Sequence, residues 1–180
     1  MQKTAQTKKR ASLVDAIIES LEKNDIFLGI VSNKNDTEVQ IQKALFLRLE
    51  NELPTILSKH FKFSEKKSKK IVEEGFKWEQ KLSTSVPSFN FFETNHRPDS
   101  VLEIKKEFRI AIELKKGDSG QSLRSGIGQA LVYSTQFNFT IYLFVDTTPG
   151  RDIKSSSKGD KEQALINSLW KSFNVKLVVV

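Results

Sequence analysis

Residues 139–145, Phe-Thr-Ile-Tyr-Leu-Phe-Val, are the strongest constraint on how this chain can fold. As a strand, this run has no face to give to water, so it belongs at the centre of a sheet covered on both sides. Residues 175–180 read the same way. Around them, residues 76–82 alternate loosely as a first strand. Residues 100–104 and 108–115 form a hairpin across residues 105–107. Residues 123–137 make a helix with Leu123, Ile127, Ala130 and Leu131 inward, and residues 163–173 make another. Residues 83–90, with Pro87, read as a turn region, and residues 117–120 and 147–159 as loops. The expected fold is α/β, with a mixed central sheet flanked by helices.

The N-terminal half is helical in pattern. Ser12 and Asp15 resemble a capping box ahead of Leu13, Val14, Ile17, Ile18 and Leu21, and that helix should end near Asn24. Residues 1–11 are basic and expected to fray. Residues 26–31 are a short apolar run, and residues 32–36 a polar loop. A second helix should begin at Asp36 or Thr37, carry Ile41, Leu45, Leu49 and Leu53, and end or restart at Pro54. Residues 59–70 are rich in lysine and suit a basic helix face or a connection. The division expected is a basic tail and helix over 1–35 and the main domain over 36–180, packed as one unit.

Composition removes several kinds of chemistry. There is no Cys, so disulfides, thiol nucleophiles and Cys-zinc sites are excluded, and two His cannot build a His-rich centre. A metal would be held by oxygen, which points to Mg²⁺ or Mn²⁺. The net charge of +7 favours polyanions. No apolar run is long enough for a membrane span, and the N-terminus does not read as a signal peptide, so a cytoplasmic location is expected. The glycines match neither a dinucleotide fingerprint nor a P-loop, and there is no Gly-x-Ser-x-Gly elbow.

One stretch carries chemistry. Arg97-Pro98-Asp99 precedes the first hairpin strand, and Glu113-Leu114-Lys115 ends the second. Side chains alternate along a strand, so Glu113 and Lys115 share one face while Ile110, Ile112 and Leu114 take the other. If the strands pair, Asp99 meets Glu113, with Lys115 beside them. Two carboxylates hold a hard divalent cation, and a neighbouring ammonium handles a proton or an anion. Each residue also has an ordinary use: a charged strand pair, an Asp starting a strand, a solvent-facing Gln129, a core Tyr133.

Pro98-Asp99 and Glu113-Leu114-Lys115 resemble the two halves of the motif of the PD-(D/E)XK nuclease superfamily, the restriction-endonuclease-like fold. Gln129-Ala-Leu-Val-Tyr133 is similar to the QxxxY motif of some of its branches. The likeness spans roughly residues 36 to 146. It implies a Mg²⁺- or Mn²⁺-dependent deoxyribonuclease, endo or exo, acting in recombination, repair or mobile-element processing. It also implies roles. Asp99, Glu113 and the Leu114 carbonyl would hold metal. Glu38, on the preceding helix, would assist, with Glu52 as the competing choice. Lys115 would orient water or stabilise charge, and Gln129 and Tyr133 would support it. Arg97, Lys116 and Arg124 are candidate phosphate contacts, and His96 lies next to them. A partner subunit fits the small size, and cutting both strands would suit a homodimer. The alternative is a nucleic-acid-binding or interaction subunit that keeps the fold and is inactive without its partner.

Overall fold

The structure is a computed structural model that describes residues 5–23, 36–81, 85–105 and 108–180. The apolar periodicity of the first half closes into helices α1 (Ala5–Lys23), α2 (Glu38–Phe61) and α3 (Glu65–Gly75). Helix α1 begins well before the expected capping box. Ser12 lies inside it and returns its hydroxyl to the Lys9 carbonyl at 2.9 Å. Lys9 and Arg10 belong to this helix and have rings to cover, Lys9 over Phe61 and Arg10 over Phe108, while residues 1–4 lie outside the described residues. The short run at 26–31 lies outside the described residues.

The capping box belongs to α2. The Thr37 hydroxyl accepts from the Gln40 N–H, and the Gln40 side chain accepts from the Thr37 N–H at 2.7 Å. Pro54 neither ends nor restarts this helix, which runs through it for 24 residues. Buried Leu53, Ile56 and Leu57 hold the backbone on both sides of the missing N–H. The lysine-rich stretch splits between the end of α2 and α3, which Ser64 caps.

Helix α3 leads directly into β1 (Phe76–Trp78), shorter than the sequence suggests. The chain then forms a separate small hairpin, β2 (Phe89–Phe91) and β3 (Thr94–His96), in and beyond the region read as a turn. The main hairpin follows, β4 (Ser100–Lys105) and β5 (Phe108–Gly117); its turn residues 106 and 107 lie outside the described residues. Next come α4 (Gly120–Tyr133), β6 (Phe139–Asp146), a short α5 (Asp152–Ser156), α6 (Asp160–Phe173) and β7 (Val175–Val179). Helix α4 starts three residues earlier than its apolar stripe because Ser119 caps it, and it stops at Tyr133. Helix α5 lies in the expected 147–159 loop. Asp146 organises that loop by accepting from the N–H and hydroxyl of Thr148 and from the Lys154 N–H.

The sheet order is β1-β4-β5-β6-β7. β1, β4 and β5 are antiparallel, and β5, β6 and β7 are parallel. On one face Ile110, Ile112, Leu114, Ile141 and Leu143 join the apolar stripes of α1 and α2 in the main core. On the other, Tyr142, Phe144 and Leu177 pack with Ala130 of α4 and Leu169 of α6. All residues of β6 are buried, as its composition requires. The result is an α/β fold with a mixed sheet between helices. Among the described residues no helix is long and apolar enough to cross a membrane.

Two helical glycines separate cleanly. A Cβ on Gly126 would lie 2.0 Å from the Tyr142 hydroxyl oxygen, and Tyr142 is fully buried, whereas a Cβ on Gly128 would meet nothing within 4 Å. Close approach of α4 to the sheet therefore explains the first glycine and not the second. Gly126→Ala should destabilise the protein by about 1–3 kcal/mol through overpacking. Gly128→Ala should stabilise it by up to about 1 kcal/mol through helix propensity. Paired thermal melts test both.

Candidate active site

The site arises where one strand outruns its neighbour. Ser100, the first residue of β4, pairs with Ile112, and β5 continues to Gly117 with nothing from β4 opposite. Strand N–H and C=O groups of one residue face the same edge. The N–H groups of Leu114 and Lys116 therefore point into the gap and need acceptors. Carboxylates supply them: Asp99 Oδ2 accepts from the Leu114 N–H at 2.7 Å, and Glu38 Oε2 from the Lys116 N–H at 2.8 Å. The Leu114 carbonyl faces the same gap.

The register places Asp99 across from Glu113, whose Oε2 accepts from the Asp99 N–H at 3.3 Å. Glu113 is buried although it carries a carboxyl group. Burial pushes Asp99 up to about 7, and the charges of Glu79 and Glu38 add to this while the Leu114 N–H opposes it. Burial, then the charge of Asp99, pushes Glu113 up to about 8. The Tyr133 hydroxyl, from α4, donates to the Arg97 carbonyl at 3.1 Å and lies against Glu113. Burial and these carboxylates raise its pKa, so it stays a donor.

Lys115 stands at the mouth of the gap, its Nζ 3.2 Å from Glu38 Oε1. Glu38 thus reaches the open edge of β5 from the first turn of α2 and holds Lys115 and the Lys116 backbone. Glu52, the competing choice, lies about 21 Å further along the helix axis. It lines a groove between α1 and α2 with Lys59 and His60. Gln129 is half-buried one turn before Tyr133, and its side chain has no hydrogen bond among the described residues. Arg97 is tied to Glu79 at 2.6 Å, the Lys116 Nζ donates to the Asp36 carbonyl, and Arg124 is exposed on α4.

Among the described residues no three carboxylate or imidazole groups could enclose a metal ion on their own. Asp99, Glu113 and the Leu114 carbonyl nonetheless make an all-oxygen set of the kind Mg²⁺ takes along with water. Their raised pKa values mark a place where negative charge lacks compensation, so a divalent cation fits the residues present.

Sequence reasoning missed Glu79 and Tyr142. Glu79 follows β1 directly, and its N–H donates to the Asp99 carbonyl at 3.1 Å, which brings its charge against Asp99. The signal was the antiparallel register of β1 with β4, which exists only once the pairing is known. Tyr142 lies in the run that marks the central strand, and only the packing of α4 shows its hydroxyl reaching the Leu123 carbonyl. Comparison with protein-family models, with curated proteins and with solved structures finds no match for this chain.

The carboxyl pair makes a pH prediction. In the unfolded chain both groups ionise near pH 4, whereas in the folded protein they hold their protons to about 7 and about 8. The folded state binds more protons across that window, so stability should fall as pH rises from about 4 to about 8. Glu113→Gln should flatten this fall and melt a few degrees higher than wild type at pH 8 in EDTA. Adding Mg²⁺ should raise the melting temperature of wild type and leave Glu113→Gln nearly unchanged. Melts across pH, with EDTA or Mg²⁺, test each point.

Proposed function

We propose that this chain is a divalent-metal-dependent deoxyribonuclease, with the restriction-endonuclease-like fold that its resemblance to the PD-(D/E)XK superfamily implies. One observation carries the reading: Asp99 faces Glu113 at the open edge of β5, with Lys115 two residues on. The order of elements supports it. A helix supplies Glu38, a hairpin supplies the motif, and the next helix supplies Gln129 and Tyr133.

Asp99, Glu113 and the Leu114 carbonyl would hold Mg²⁺ or Mn²⁺, which when bound polarises a phosphoryl oxygen and acidifies water. The rest falls to the chain's own groups. Lys115 sits where its ammonium can steady an attacking water or the charge growing on the phosphate. Tyr133 lies against Glu113 and donates to the Arg97 carbonyl, which fixes the chain two residues before Asp99, just ahead of β4. Gln129 lies one turn before Tyr133 on the same helix face. Lys116 and Arg124 add phosphate attraction without sequence preference, in keeping with the +7 charge. The contact between Lys115 and Glu38 favours a second reading, in which DNA or a partner subunit must first release that lysine.

Asp99→Ala and Glu113→Ala should each lose all Mg²⁺-dependent cleavage while melting cooperatively. Glu38→Gln should weaken cleavage more than Glu52→Gln. Labelled DNA incubated with each purified variant, with Mg²⁺ or EDTA, tests this. Full activity in either alanine variant would overturn the assignment. Activity that appears only on adding a partner would select the second reading.

A further inference from the structure

The β2–β3 hairpin, which ends directly before Arg97-Pro98-Asp99, has no part in the chemistry above. Its turn is two residues, Phe92 and Glu93, both at positive φ, 47° and 60°. Primed hairpin turns need that conformation and usually fill it with Asn or Gly. A phenylalanine there is unfavourable for the backbone, and this one gains no cover: the residue is 87% exposed. Surface phenylalanines are common singly. This one ends an unbroken series of ring contacts that starts at the carboxyl pair.

Tyr133, against Glu113, meets Phe89 edge-on at 6.2 Å between centroids, and Phe89 also contacts Phe137. Phe89 stacks on its cross-strand partner His96 at 5.8 Å. His96 meets Phe91 at 6.3 Å, and Phe91 meets Phe92 at 4.6 Å. The root of the hairpin is thereby fixed to α4, and the Tyr133 bond to the Arg97 carbonyl fixes its exit. The tip is an exposed aromatic ring joined to the carboxyl pair through these ring contacts. Asn90 and Asn95, paired across the strands, add exposed amides below it.

We infer that Phe92 is a base-stacking tip, which stacks on an unpaired nucleobase flanking the scissile phosphate and makes strand junctions and unpaired ends the substrate class. This rests on the reading of the site as a DNA phosphodiesterase. An aromatic face serves any base, so the contact needs no sequence. The basic surface supplies the backbone attraction that a ring cannot.

The test uses the full chain in EDTA. One probe is a forked duplex carrying 2-aminopurine at the first unpaired position, and the other is the same sequence fully paired. Wild type should bind the fork about 10-fold tighter than the duplex, the scale of one base–aromatic stack, and should change the 2-aminopurine fluorescence. Phe92→Ala should lose both the preference and the signal while keeping duplex affinity and melting temperature. Phe92→Trp should keep them. Phe173→Ala, at another exposed ring, should behave as wild type. Equal behaviour of wild type and Phe92→Ala on the fork, or no DNA binding by wild type, would overturn the inference. So would unchanged DNA binding with lost self-association, which would assign the ring to a protein contact. Stacking without cleavage in Mg²⁺ or Mn²⁺ would support the tip and overturn the nuclease reading alone.

Discussion

Everything in this molecule is arranged around strands that cannot face water on either side. β6 is buried along its whole length and β5 along most of its own, so the sheet must lie between two helical layers. Helices α1 and α2 cover one face, and α4 and α6 cover the other. Burial at this scale is the dominant favourable term in folding. It fixes the register of β5 closely, because a slip of one residue would exchange Ile112 for Glu113 in the main core.

The site is the exception that this burial creates. β4 starts at Ser100 while β5 runs on, so backbone donors at its edge lose their strand partner. Asp99 and Glu38 take their place as acceptors. The same hydrogen bonds that repair the edge gather carboxylates around Glu113, in a part of the protein where negative charge is costly. Structural repair alone would be served by neutral acceptors, since an Asn or a Gln also offers a carbonyl oxygen. Acids at these positions make sense if a cation completes them.

Lys115 and Tyr133 both act on the pair and differ in kind. The lysine is partly exposed and shares its charge with Glu38, so on the proposed reading it exchanges partners as a phosphate arrives. The tyrosine is buried, protonated and bound to a backbone carbonyl, so it is a fixed support. The β2–β3 hairpin extends that support outward through ring contacts, which gives a short two-stranded element a rigidity its own hydrogen bonds would not supply.

The local chemistry of the chain was legible before any coordinates. Runs without polar faces marked β6 and β7, helical spacing marked α1, α2 and α4, and alternation around Glu113 put that carboxyl and Lys115 on one face. These follow from nearest neighbours along the chain, where period and composition suffice. What lay beyond was set by partners distant in sequence. Arg10 found Phe108, so the N-terminal helix began early. Buried neighbours carried α2 through Pro54. The choice of Glu38 over Glu52 depended on which end of α2 met β5, and helix phase alone could not decide it. The charge of Glu79 on Asp99, the hydroxyl of Tyr142 under Gly126 and the aromatic series from Tyr133 to Phe92 exist only in three dimensions. A sequence states which groups are present and which face they share. Only the packed fold states which of them are brought out of water together, and that is what sets their charge and reach.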